Sequence, residues 1–482
     1  MADEHNGRLD WASMQDSLQN SVVQVVAQVA KFNWEEPYAI EDEYESRGSG
    51  FFIDSNGYII TNAHVVDEAT VVWIHLPSLG KKTIFTDIIG FCPERDLALL
   101  KVKDEDFEFL KGHMGSIMPL PFGDSDAVKR TDQVLMLGYP LGHYIMKSST
   151  GVVSGRESYG GYSLIQITAP INAGNSGGPL INSNGEVIGI AIATVNGAQN
   201  IGFGIPINEL KIILDDLRTL KLVRSQMLGV QLNYATEELA EFFNNPSPAG
   251  VYIGKVFKNS LAEKVGMQAG DMLYSFNDYR IDAFGDATVP WTSDKITMND
   301  LVARLKRGQM LTLIVYRNGK KLVLSIPFEQ TTPNPIRKIY PNYEPVEYEV
   351  IGGMIVMQLV ENHINLLTQN IPYLVEFSKA DRRYEKVLVI THVLPGSYIQ
   401  QMRSLFAGFI ITQVNGIDVS TLQEFRRALI EGLATDRITI KTSDGVFAVM
   451  PFTTVLKDER RLAQNFSYRI SGIVEDLLKA ID

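Results

Sequence analysis

From residue 21 onward, short runs of β-branched and aliphatic residues alternate with Gly, Asn and Asp. Runs at 22–29, 49–53, 58–61, 71–76, 97–102, 134–137, 164–167 and 187–193 predict the short strands of an all-β barrel or sandwich. Asp54-Ser55-Asn56-Gly57 and Asn182-Ser183-Asn184-Gly185 predict hairpin turns, because Asn and Gly tolerate positive φ. The first clear helical period begins near Pro206, with Asn208 as its cap and Leu210, Ile213, Leu214 and Leu217 on one face. It marks a domain boundary. Ahead of the first strand, Leu9, Trp11, Met14 and Leu18 are spaced for a short amphipathic helix or docking arm.

Two further segments mix strands and helices. Residues 225–330 predict strands at 251–256, 272–276, 311–316 and 321–326, and helices at 237–243 and 298–306. A linker reads from Glu329-Gln330-Thr331-Thr332-Pro333-Asn334-Pro335. Residues 350–455 repeat the logic, with strands at 387–393, 409–414 and 438–442 and a helix at 422–429. The stretch 256–276 followed by Asn277-Asp278 matches 393–414 followed by Asn415-Gly416, a degenerate internal duplication. The tail, 460–482, predicts a short helix containing Ile470, Ile473, Leu477 and Leu478.

At 482 residues the chain exceeds one compact core, and about three domains are expected. Its 39 glycines suit turns and short strands better than a helical bundle. A net charge of -12 argues against nucleic acid as partner, since phosphate binding needs a basic face. The single cysteine, Cys92, excludes an intrachain disulfide, and its apolar surroundings predict a buried structural thiol. No run of eighteen apolar residues predicts a membrane helix. The start, Met1-Ala2-Asp3-Glu4-His5, is polar and acidic and does not read as a signal peptide. A cytosolic start and a mature secreted chain with an added Met both fit it.

The string Asn172-Ala173-Gly174-Asn175-Ser176-Gly177-Gly178-Pro179-Leu180 carries the chemistry. A serine hydroxyl becomes a nucleophile when an imidazole takes its proton, and an acid must hold that imidazole. His64, in Thr61-Asn62-Ala63-His64-Val65-Val66, is the candidate base, and Asp96, ahead of an apolar strand, the candidate acid. The glycines let N–H groups at Gly174, Asn175 and Ser176 converge on an oxyanion, where one donor is typically worth about 3 kcal/mol. The order His, Asp, Ser sets an α/β-hydrolase esterase aside. The remaining histidines show no metal-ligand spacing, and no cofactor is expected.

These motifs, with Gly48-Ser49-Gly50-Phe51, Gly138-Tyr139-Pro140-Leu141-Gly142, Thr150-Gly151-Val152-Val153-Ser154 and Ile201-Gly202-Phe203-Gly204-Ile205-Pro206, resemble the HtrA/Deg family of serine proteases. The resemblance implies a mostly β chain: a trypsin-like double six-stranded β-barrel followed by two PDZ-like α/β domains. Its bounds would be an N-terminal segment 1–20, protease 21–222, first PDZ 223–330, linker 331–349 and second PDZ with extension 350–482. It implies a small-apolar specificity pocket from Ile171, Ile190, Ala191 and Ile192, and a carboxylate-binding loop Met227-Leu228-Gly229-Val230. In the second PDZ, Gly352-Gly353-Met354-Ile355 would be the loop. The long stretch 361–386 resembles the divergent plant-type Deg proteases. Thr168 stands where the family often has Asp.

The implied activity is ATP-independent cleavage of unfolded or damaged proteins through an acyl-enzyme, regulated by peptide binding to the first PDZ. The alternative is a peptide-binding chaperone or scaffold with a normally inactive protease. Implied partners are unfolded proteins, peptides with free C-termini and copies of the chain in trimers or multiples of trimers. Phe32, Trp34, Tyr38 and Trp11 are candidate aromatic contacts between copies. The implied location is the periplasm or cell envelope of a bacterium, or an organelle or nucleus in a plant.

Overall fold

The computed structural model describes residues 11–159, 162–192, 201–225, 227–246, 249–329 and 333–481. Leu9, Ala193 and residues 330–332 of the expected linker lie outside them. The fold is mostly β, and the chain divides into two compact units. The first holds Met1–Val29 and Tyr44–Thr332; the second holds Ala30–Glu43 and Pro333–Asp482.

In the first unit, α1 (Trp11–Leu18) precedes β1 (Val22–Phe32), β2 (Ile40–Phe52), β3 (Tyr58–Thr61), α2 (Ala63–Val66), β4 (Ala69–His75), β5 (Ile84–Cys92) and β6 (Leu97–Val102). These strands close into a six-stranded barrel in the order β1-β2-β3-β6-β5-β4. After α3 (Asp104–Met114) come β7 (Gln133–Gly138), β8 (Lys147–Tyr159), β9 (Tyr162–Ile167), β10 (Pro179–Ile181), β11 (Val187–Ile192), β12 (Gly202–Pro206) and α4 (Ile207–Thr219). They form a six-stranded sheet in the order β10-β11-β12-β9-β8-β7, in which Leu180 of β10 also pairs with Met136 of β7. The expected turns form as their chemistry requires. Asp54 Oδ1 accepts from the Asn56 and Tyr58 N–H groups, and Asn182 Oδ1 from those of Asn184 and Glu186.

The apolar face of α4 is buried through Leu210, Ile213 and Leu217, with Leu214 packed beside them. Gly90 permits this approach: a Cβ there would collide with the Leu217 carbonyl. Asn208 does not cap α4, because Pro206 occupies that position. Asn208 sits inside the first turn, where its N–H donates to Ser125 Oγ and its side chain to Asp124. Strand β5 and helix α3 escaped the reading of the sequence. The first is interrupted by polar positions, and the second is dominated by the acidic first turn Asp104, Glu105, Asp106 that favours a helix N-terminus. Cys92 is buried, and burial pushes its thiol up to about 12.

The rest of this unit is a smaller sheet. It contains β13 (Val230–Tyr234), α5 (Glu237–Phe242), β14 (Val251–Val256), α6 (Leu261–Val265), β15 (Met272–Phe276), β16 (Tyr279–Arg280), β17 (Asp286–Ala287), β18 (Ile296–Thr297), α7 (Met298–Ala303), β19 (Met310–Arg317) and β20 (Lys320–Pro327). The strand order is β13-β14-β15-β19-β20, which leaves β13 at an edge.

The second unit contains β21 (Tyr348–Ile351), β22 (Met354–Gln358), α8 (Glu361–Leu367), β23 (Leu388–Val393), α9 (Tyr398–Met402), β24 (Ile410–Val414), β25 (Ile417–Asp418), α10 (Leu422–Ile430), α11 (Gly432–Thr435), β26 (Arg437–Thr442), β27 (Phe447–Pro451), α12 (Phe452–Phe466) and α13 (Gly472–Ile481). Its order is β21-β22-β23-β24-β26-β27. The expected tail helix is in fact two helices, separated where Ser467 turns left-handed at φ 58°. The long stretch 361–386 has its own small core, in which Ile364, Leu367, Leu374 and Phe377 meet Ile336.

The duplication seen in the sequence is physical. Gly229 (φ 82°) and Gly353 (φ 85°) each lie so close to a serine, Ser260 and Ser397, that a Cβ would collide with it. Those serines cap the equivalent helices α6 and α9. Asn277 and Asn415 both turn left-handed and accept from the Thr312 and Thr439 N–H groups at 2.9 and 2.8 Å.

Candidate active site and peptide grooves

His64 is the second residue of the single turn α2, which follows β3 after the cap position Asn62. Ala63, Val65 and Val66 anchor that turn in the core and leave the imidazole on the open side. Asp96 follows β5 through the turn Pro93–Arg95 and is itself left-handed. Asn62 Nδ2 holds the Asp96 carbonyl at 2.9 Å. The Asp96 carboxylate accepts the His64 main-chain N–H at 2.9 Å and faces Nδ1 at 2.8 and 3.0 Å. Burial lowers the imidazole pKa, but the hydrogen bond to Asp96, the charge of Asp96 and that of Asp67 outweigh it. The net pKa lies above the ordinary histidine value.

Ser176 lies in the loop between β9 and β10. The Ser49 N–H donates to its carbonyl at 2.7 Å, and Gly177 is packed so closely on Thr61 and Asn62 that a Cβ would not fit. The serine loop is thereby pressed against the segment that carries His64. Among the described residues His64 Nε2 and Ser176 Oγ share no hydrogen bond; such catalytic bonds commonly tighten only with substrate.

The peptide units of the loop have defined directions. Leu141 N–H donates to the Ala173 carbonyl at 2.7 Å. In a trans peptide the C=O and the following N–H point opposite ways, so this bond turns the Gly174 N–H away from Leu141. Ser49 Oγ donates to the Gly174 carbonyl at 2.7 Å and accepts the Tyr139 N–H at 2.9 Å. Among the described residues the Gly174 and Ser176 N–H groups are not taken up. The Asn175 N–H is: it donates to Asn172 O at 2.9 Å, so it stands apart from the other two. The parts played by Ser49 and Leu141 went unread, although both stand inside motifs that drew attention.

The four expected pocket residues do not share one face. Ile171 and Ala191 join one buried cluster, while Ile190 and Ile192 pack on another. Side chains alternate along a strand, so β11 must send Ala191 opposite to its two neighbours. Thr168 Oγ1 accepts the Val152 N–H at 2.9 Å. Phe32, Trp34 and Tyr38 belong to the second unit. Trp34 stacks edge-on with His363 at 5.1 Å, and Tyr38 lies 5.3 Å from Tyr468. Trp11 packs on the core of the first.

The two loops differ sharply. Leu228 is buried and Met227 is 73% exposed. Among the described residues the Leu228 and Gly229 N–H groups have no acceptor, and β13 beside them pairs only with β14. At the second loop, β21 runs antiparallel along β22 with Ile351 opposite Met354. The Gly352 N–H donates to Glu459 Oε2 at 2.8 Å. Arg426 on α10 binds Glu349 at 2.8 Å, Glu347 at 2.9 Å and the Tyr348 carbonyl at 3.0 Å.

Among the described residues no group of three His, Cys, Asp or Glu is placed to hold a metal, and no helix is long and apolar enough to cross a membrane. An Asp-held imidazole, a serine at a glycine-rich turn and unclaimed N–H groups beside it define the class of trypsin-like serine peptidases. Residues 48–190 match the trypsin-like peptidase domain family and residues 339–471 a PDZ domain family. A probable periplasmic serine endoprotease DegP-like from Marinomonas sp. is 30% identical over 80% of this chain and 74% of its own length. The periplasmic serine endoprotease DegP of Escherichia coli is 32% identical over 61% of this chain and 60% of its own length. The solved HtrA-type protease AlgW with tripeptide shares 25% identity and a TM-score of 0.51 over 68% of this chain and 99% of its own. The chain belongs to the HtrA/Deg family of serine proteases, with trypsin-like and PDZ domains.

Proposed function

We propose that this chain cleaves unfolded proteins through a Ser176 acyl-enzyme. His64 takes the Ser176 proton as the hydroxyl attacks the scissile carbonyl, then returns it to the leaving amine. Asp96 holds the imidazole and favours its charged form. The Gly174 and Ser176 N–H groups receive the oxyanion. The observation that carries this reading is the Leu141–Ala173 bond, which turns the Gly174 N–H away from Leu141 and leaves it unclaimed among the described residues. Water completes the hydrolysis, with no cofactor. Because His64 acts as base when neutral, its raised pKa places the acid limb of kcat/KM above the usual histidine range.

The return of β10 to β7 supports reading the second six-stranded sheet as the partner barrel of the first. The shared Gly–Ser–Asn framework supports reading both later modules as PDZ domains. In this reading the first module, with β13 and the Leu228 and Gly229 N–H groups open, takes peptide C-termini by strand addition. Peptide there regulates cleavage. The second module already carries its own strand. Ile171 and Ala191 remain the pocket candidates on one face. The relatives named above are bacterial proteins described as periplasmic, so the cell envelope is adopted as the location rather than a plant organelle. Assembly into trimers is part of the same proposal.

Cleavage of unfolded casein, by the parent chain and by Ser176→Ala, tests it. The parent cleaves, a peptide with an apolar C-terminus stimulates it, and the variant loses at least about a thousandfold in rate. If neither protein cleaves and both suppress casein aggregation, the chaperone reading replaces this one.

A further inference from the structure

Arg95 directly precedes Asp96, yet its side chain turns away from the active site into the protein, where the residue is 8% exposed. Its guanidinium pairs with Glu209 of α4, itself 5% exposed, and donates to the main-chain carbonyl of Ala303. The Tyr162 ring lies 5.5 Å from it. Ala303 is the last residue of α7. Leu301 and Val302 of that helix, and Leu305 just beyond it, share one core cluster with Leu228, Val230 and Leu232. The helix that shares its core with the loop and strand β13 therefore ends against the residue beside the catalytic acid.

Two features make this link able to transmit. Asp96 is held at φ 53° and ψ 45°, a conformation a non-glycine residue keeps only while its surroundings impose it. Arg304, next after Ala303, makes a two-pronged pair with Asp126 at 2.8 Å in each arm. The end of α7 is thus fixed to the protease at two adjacent residues, one of them through a buried charge. A buried ion pair is either made or leaves an uncompensated charge, so it resists gradual adjustment. A displacement of α7 must then move Arg95 and, with it, the backbone of Asp96.

We infer that Arg95 is a positioning residue that couples the β13 groove to the triad: a peptide strand bound against β13 and α7 acts through Ala303 and Arg95 on the placement of Asp96. The inference rests on the reading of β13 as a peptide site. It adds the route, which runs through the residue beside the acid.

The full-length protein tests it with two probes. One is a fluorescent peptide ending in an apolar residue; the other is a reversible peptide boronate that occupies Ser176. In the parent, the peptide tightens boronate binding by at least about fivefold, and by linkage the boronate tightens peptide binding by the same factor. Arg95→Met/Glu209→Leu removes both charges together and strands neither. It is expected to melt cooperatively and bind peptide as the parent does, with the coupling reduced to less than about twofold. Coupling retained at the parent value overturns the inference. Arg95→Lys serves where the double variant does not fold, because it keeps the charge and loses the fork that reaches Glu209 and Ala303 together. Loss of coupling there supports the route, and full coupling removes it. Peptide that binds the parent without affecting the boronate overturns the inference alone. Peptide that fails to bind the parent overturns the β13 reading and the inference together.

Discussion

The sheets built on β13 and on β22 share a framework and differ at one edge. In the first, the loop N–H groups at Leu228 and Gly229 and the strand beyond them are open. In the second, the same place is filled twice by the chain itself. Strand β21 runs along β22, and the Glu459 carboxylate accepts the Gly352 N–H. Strand and carboxylate are the two things a peptide C-terminus would bring. In the proposed reading, one copy of the framework is therefore the receptor and the other a closed structural element. The difference lies in what precedes the loop: Tyr348–Ile351 form a strand in one copy, while Met227 stands exposed in the other.

The contrast breaks most severely at Arg426. Glu349 is 1% exposed, and Arg426 is the cation that faces it at 2.8 Å. Arg426→Ala leaves that carboxylate buried without its partner, at a cost of about 3–5 kcal/mol. Thermal unfolding of the second unit should fall accordingly, and hydrogen exchange of 348–351 should accelerate. Arg426→Met/Glu349→Leu should recover most of the loss. If the single variant melts like the parent, Arg426 does not hold β21 in place.

Acidity acts on the same closed edge. Burial pushes Glu459 up to about 7, although Tyr468 and the Gly352 N–H both bond to its carboxylate. Burial pushes His363, which Trp34 covers, down to about 3. An acid whose folded pKa is raised binds protons more tightly when folded, so Glu459 lowers stability as pH rises from its unfolded value to about 7. A histidine whose folded pKa is depressed does the reverse. His363 lowers stability as pH falls from about 6.5 toward about 3. The two slopes oppose each other between about pH 4.5 and 6.5, where the second unit should be nearly pH-independent. Glu459→Gln removes one of them. Hydrogen exchange of β22 should then show stability rising with pH across that window by roughly 2–3 kcal/mol. A flat profile in the variant would mean that His363 is not the opposing group.

Much of this was legible because it is local. The two Asx-stabilised turns are set by residues within four positions, and the left-handed Asn277 and Asn415 stand in short strings that recur along the chain. What stayed hidden depends on side chains that travel far along the chain. Glu459 reaches Gly352 across 107 positions, and Arg95 reaches Ala303 across 208. Trp34 and Tyr38, expected as aromatic contacts between copies, also meet His363 and Tyr468 of the second unit, partners more than 300 positions away. The pocket candidates differ in kind. The period of two in β11 was present in the sequence and already set Ala191 apart from Ile190 and Ile192.

The smallest effect compares the two loop glycines directly. Gly229→Ala and Gly353→Ala place the same methyl at the same left-handed position, against Ser260 in one module and Ser397 in the other. The left-handed backbone adds about 1–2 kcal/mol of strain to each, beyond the serine contact that both share. Its consequences divide according to what the loop does. At Gly229 the loop is open where the proposed peptide would bind, so the shift should appear as peptide affinity lowered about tenfold, with the melting of the second unit unchanged. At Gly353 the loop is the turn between β21 and β22, both paired in the sheet. The same strain there has no ligand to weaken and emerges as lost stability of the second unit, with peptide affinity as in the parent. Equal losses of peptide affinity in the two variants would show that both edges receive peptide, and the division between receptor and closed copy would fail.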